Sequence, residues 1–120
     1  MKNFRELKVW EKVHGLVLDL YKETAGFPVA DTYGLTSQIR RATASFPANI
    51  PEGCGRGGDA EFARFLQIAM GSASELEYHL LLANDLEMLN KESHLALESR
   101  VAEVKRMLAT LINKLREGSC

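Results

Sequence analysis

The chain has little cysteine: two residues in 120, Cys54 and Cys120. Two thiols cannot build a disulfide framework, and no CxxC spacing is present to suggest zinc. Both are expected as free thiols in a reducing compartment. An excess of one charge is lacking too, with 15 lysines and arginines against 16 aspartates and glutamates. The first 60 residues carry 8 basic and 7 acidic side chains, the rest 7 and 9. Neither half is a polycation, so composition excludes nucleic-acid binding through bulk charge and leaves only local clusters or repetition in an oligomer. No apolar run approaches the roughly 20 residues that span a bilayer, so no membrane partner is expected. The opening residues are charged and lead straight into a periodic segment, the expectation for a chain without a signal peptide that works in the cytoplasm.

What the chain does have is helical periodicity. Asn3 followed by Glu6 has the spacing of a helix start, and the first helix is predicted over about residues 4–24. Its apolar residues, from Leu7 through Trp10 to Tyr21, cover roughly 200° of the surface, where one packing face needs little more than 100°. That width predicts burial on two sides and therefore an oligomer. Pro28 and a capping Asp31 mark a connection, with Phe27 expected under the end of the bundle. The second helix, over about 34–53, carries Pro47 and Pro51, yet the apolar period Leu35, Ile39, Ala42, Phe46, Ile50 runs through both. One irregular helix is therefore expected rather than two. Gly53, Gly55, Gly57 and Gly58 stop it; they lack the phosphate-loop spacing and any preceding strand, so they read as a turn.

Asp59 is the expected cap of a third helix over about 60–86, with Phe62, Phe65, Leu66, Ala69, Ala73, Leu76, Leu80 and Ala83 as its core face. Asn90 caps a fourth over about 91–116, where Leu97, Val101, Val104, Leu108, Leu111 and Leu115 repeat as a heptad seam. Short connections and no strand make residues 1–120 one domain, an all-α, antiparallel up-down-up-down four-helix bundle.

Two helices carry a further ordered stripe beside the core face. On the second helix it is Gln38, Arg41, Ser45, Asn49 and Glu52; on the third, Arg64, Ile68, Gly71, Ser72, Glu75, His79 and Leu82. Small and hydrogen-bonding residues in register suggest a surface that meets another helix or another subunit, with Glu75 placed to meet Arg41. The alternative is the solvated flank of an ordinary amphipathic helix.

The segments FRELKVW, YGLTSQIRRA, SFPANIPEGCGR and EFARFLQIAMGSASELE resemble the bacterial four-helix bundle family that includes proteins encoded in intervening sequences of 23S ribosomal RNA genes. The resemblance runs over nearly the whole chain. It departs at Pro51, where the family motif has alanine, and at Glu87, where glycine is common between the last two helices. It implies a ring-like homopentamer; with no catalytic set legible in the residues, a scaffold or adaptor role without catalysis is expected. It also implies similarity to the more basic accessory proteins of diversity-generating retroelements, which contact a reverse transcriptase and nucleic acid. The interface residues expected on this basis are Trp10, Gln38, Arg41, Ser45, Asn49, Glu52, Ile68, Gly71, Ser72 and Glu75.

Catalytic chemistry finds little footing. His14, His79 and His94 fall on different helices; Glu75 and His79 share a face but form only a two-donor set, and Ser45 and Ser72 lack an evident base. Neither metal nor cofactor is expected. Candidate nucleic-acid contacts are Arg40, Arg56 and Arg64, with Lys8 and Lys12 on the first helix beside Lys2 and Arg5. A ring would repeat each of them, so the partners expected are further copies of the chain, with RNA or a nucleic-acid-processing protein as the second reading.

Overall fold

The computed structural model describes residues 3–31 and 33–118; Lys2 and Cys120 lie outside them. Among the described residues there are four α-helices and no strand: α1 (Lys8–Ala25), α2 (Leu35–Cys54), α3 (Asp59–Asp85) and α4 (Lys91–Gly118). Each packs against two neighbours, α1 on α2, α2 on α3, α3 on α4 and α4 on α1, with no diagonal contact, so the section is a square. This is a four-helix bundle, 49 Å long and about 20 Å across. Cross-helix pairs run in opposing order: Arg41 with Glu75 and Ser45 with Ser72 between α2 and α3, Lys12 with Glu103 and Asp19 with Arg100 between α1 and α4. Val13, Leu16, Ile39, Phe46, Ile50, Leu66, Leu76, Val101 and Leu108 fill the interior.

The helix ends show which local signals acted as expected. Asn3 does cap, but its Oδ1 accepts from Arg5 N (3.1 Å) in a short 3-10 turn, Phe4–Glu6. Leu7 is extended, so α1 begins only at Lys8. Asp31 caps α2 from outside: its Oδ2 accepts from the backbone N of Thr36 (2.9 Å) and from its hydroxyl (3.0 Å). Gly34 permits that reach, since a Cβ there would stand 2.9 Å from Asp31 Oδ1. Helix α2 then continues through Pro47 and Pro51. Asp59 is not a cap. Gly58 occupies the cap position without a side chain, and Asp59 sits in the first turn, where its charge favours the amino-terminal dipole. Asn90 does cap α4, accepting from Ser93 N at 2.7 Å.

The α3–α4 turn accounts for the unusual Glu87. Met88 N bonds Ala83 O (2.9 Å) and Glu87 N bonds Asn84 O (3.0 Å), the paired bonds of a left-handed helix stop. Glu87 therefore holds φ of 62°, a region costly for any residue with a Cβ. Glu87→Gly should stabilise the protein by about 0.5–1 kcal/mol, the relieved strain exceeding the entropy that glycine adds to the unfolded chain. A thermal midpoint raised by roughly 2–4 °C would register it; an unchanged or lower one would count against this reading of the turn.

Helix α4 corrects the expected seam. Ile112, not Leu111, enters the core after Leu108, and Leu115 follows. A straight helix turns every 3.6 residues, so a strict heptad drifts by roughly 20° per repeat and the next apolar residue takes over. Leu111 is left half-buried on the flank toward α1.

Candidate functional site

The two ordered stripes meet. Between α2 and α3 the Ser45 and Ser72 hydroxyls hydrogen-bond at 3.0 Å, and one turn away Arg41 Nη2 lies 3.5 Å from Glu75 Oε2. Asn49 turns inward on its own helix and donates to Ser45 O at 2.8 Å. The Arg41–Glu75 pair is largely exposed, so it orients the two helices more than it stabilises them. At the far end Gly53 brings α2 hard against α3; a Cβ would stand 2.9 Å from both Phe62 Cδ1 and Phe65 Cβ.

Outside this closed seam the face is open. Gly71 has nothing within 4 Å of where a Cβ would be, so within the protomer its smallness serves no close approach. Ile68 is 41% exposed, and Tyr78 on the outer side of α3 is 59% exposed. Gln38 and Glu52 also stand in solvent. Helix α1 behaves likewise. Only Val9, Val13, Leu16, Leu20 and Thr24 are buried, while Leu18 and Tyr21 are exposed. Trp10 is half-buried, stacked on His14 and edge-on to Phe4. The second buried side predicted for α1 is thus uncovered in the protomer.

His79 departs from its expected place on the mixed stripe. It is buried, with Nε2 3.6 Å from Glu75 Oε2, too long for a hydrogen bond, and neither ring nitrogen has a partner among the described residues. The flank of α3 toward α2 is covered more completely than helical periodicity indicates, which carries His79 inside. Among the described residues no group of three or more histidine, cysteine or acidic side chains is placed to hold a metal. None of the described helices is long and apolar enough to cross a membrane.

The model of the 23S rRNA-intervening sequence protein family matches residues 5–110. The chain belongs to that family. A crystal structure of a protein with unknown function from the S23 ribosomal protein family of Bacteroides thetaiotaomicron superposes with a TM-score of 0.79 at 26% identity, covering 87% of this chain and 97% of that one. No curated protein matches the sequence.

The structure sorts the candidate cations of this family member. Arg40 is structural: its Nε donates to Thr24 Oγ1 (2.9 Å), and its guanidinium lies over the Tyr21 ring. Lys12 faces Glu103 at 3.6 Å. Arg56 pairs with Glu52 at 2.9 Å, and Arg64 with Glu61 at 3.1 Å. The Arg64 hydrogen bonds hold the exposed Glu61 carboxyl below its usual range, and Glu61 in turn raises Arg64. Lys8 has no such partner among the described residues. Arg56 and Arg64 are the two cations brought together, both within about 5 Å of the Phe65 ring centre. The core pattern of α3 gave no sign that Phe65 would serve them; only the fold of the glycine turn places Arg56 there.

Proposed function

We propose that this chain is a non-catalytic scaffold or adaptor of the cytoplasm, built as an antiparallel up-down-up-down bundle and assembled into a ring-like homopentamer through the α2–α3 face. The observation that carries this reading is Gly71. A glycine in mid-helix costs about 1 kcal/mol against alanine, and here nothing inside the protomer uses the space it leaves. A neighbouring helix backbone seated over Gly71 would use it, covering Ile68 on the same stripe. The exposed Leu18 and Tyr21, beside Trp10 on α1, supply apolar surface for a second contact, and a closed ring needs two unlike faces on each copy. The number five comes from the family resemblance.

Gly71→Arg separates assembly from folding. The protomer should keep its thermal stability or gain up to about 1 kcal/mol, because arginine is the better helix former and the site is open. The assembly should be lost. Light scattering at micromolar concentration should give five times the 13.4 kDa protomer mass for the parent chain and the single mass for Gly71→Arg. A monomeric parent would end the ring, and a variant that assembles normally would move the interface off this face.

A second reading, an accessory protein that binds RNA, draws support from Arg56 and Arg64 flanking one aromatic ring. Retention on structured RNA across a salt series tests it. A steep loss of binding with rising salt would mark phosphate contacts, and no retention at low salt would leave the scaffold alone.

A further inference from the structure

Along the opposite side of the bundle, between the start of α1 and the carboxyl-terminal half of α4, lies an open groove of about 500 Å³. Its floor is apolar: Leu7, Val9, Met107 and Leu111, of which only Val9 is fully covered. Two features of the fold leave it open. The extended Leu7 ends the 3-10 turn short of α4, and that turn packs on α1 and α2 instead. The 3.6-residue period sends Ile112 into the core and strands Leu111 at the surface. The rim is basic. Lys8 stands on one wall, with Arg106 and Lys114 on the other, and none of the three has an ion pair among the described residues. Among the described residues, the carboxylate lining this part of the groove is Glu103, which faces Lys12. The groove continues along the α1–α4 seam through shared residues Lys8 and Glu103 into a second hollow, where Lys12 and Arg100 stand beside Gly15 with the carboxylate of Glu11 among them.

Three uncommitted cations about an apolar floor, in a chain of net charge −1, form a local complement to something both acidic and greasy. We infer that this groove docks an acidic amphipathic helix of a partner protein, its leucine-like side chains on the Leu7–Leu111 floor and its carboxylates against Lys8, Arg106 and Lys114. The elongated course favours a helix over a compact ligand, and helix-in-groove docking needs such an apolar floor with charge at its edges. A nucleic acid would meet the cations but gain nothing from the floor. The inference takes the adaptor reading further by giving it a partner class, on a surface separate from the α2–α3 face.

The test uses the full chain and two fluorescently labelled synthetic peptides of roughly 18 residues, about 27 Å as a helix. One carries leucines on a single face with flanking glutamates; the other has lysine at every glutamate. Fluorescence anisotropy should show the acidic peptide binding and the basic one not. Arg106→Glu with Lys114→Glu should weaken the acidic peptide at least about tenfold and favour the basic one. Both substitutions are at exposed positions, so circular dichroism should be unchanged. Leu111→Ser should weaken the acidic peptide as well, which a purely electrostatic contact would not predict, since the substitution changes no charge. No binding up to roughly 1 mM, equal binding of both peptides, or duplex RNA displacing the acidic peptide from the same rim would each overturn the assignment. Light scattering on the same samples keeps the two proposals apart. Peptide binding by a monomer would uphold the groove and remove only the ring, whereas an assembled ring that ignores the peptide would do the reverse.

Discussion

Phe46→Ala should remove about 3–5 kcal/mol of stability, as deletion of a large ring from a closed core does. Phe46 has no exposed surface, lies midway along α2, and shares the interior with Ile39, Ile50, Leu66 and Leu76. A domain of this size has roughly 5–15 kcal/mol in total, so the loss would take a large part of it. The site also resists collapse into the space, because Pro47 fixes the backbone beside it and the bundle closes on it from the other helices. Urea denaturation should show a lower midpoint with little change in slope. Phe46→Leu should cost much less, since it keeps most of the volume. A loss below about 1 kcal/mol for the alanine variant would mean that α2 is not packed as described.

Gly53→Val should be the next most damaging change, with a loss of about 3 kcal/mol and a thermal midpoint lower by roughly 10 °C. The first added carbon alone would stand 2.9 Å from the Phe62 ring and 2.9 Å from Phe65 Cβ, with Phe62 O at 3.4 Å. One of those neighbours is main-chain and one is a Cβ, so neither can swing aside without moving α3. The displacement would also shift Phe65 from beneath Arg56 and Arg64. Gly58→Ala is the control. Its backbone is extended with φ of −136° and nothing lies within 4 Å, so the change should cost no more than the about 1 kcal/mol by which alanine is the poorer helix cap. Equal effects from the two substitutions would show that the glycine run serves flexibility rather than the close contact of α2 with α3.

Much of this was legible in the residues. The four apolar periods gave the all-α four-helix fold, and the ordered motifs gave the family that the match over residues 5–110 supports. The pairing of Arg41 with Glu75 was readable from two stripes at helical spacing, because short connections leave few ways to lay one helix beside the next. Less visible were the roles of single side chains. Arg40 resembled any surface arginine until the turn after α1 set Thr24 Oγ1 2.9 Å from its Nε. Phe65 resembled any core phenylalanine until the glycine turn folded Arg56 over it.

The order of polar and apolar residues by itself determined the number of helices and the general direction of their inward faces. Periodicity is a local property, set by backbone geometry that every helix shares. The tertiary structure decided what depends on how far each helix is turned about its axis. It chose Ile112 over Leu111 for the core, drew His79 inside, left Gly71 facing open space and opened the basic-rimmed groove along α4. A rotation of some 20° exchanges neighbouring residues between core and surface. Close packing of all four helices at once fixes that angle, and no single segment of the chain encodes it.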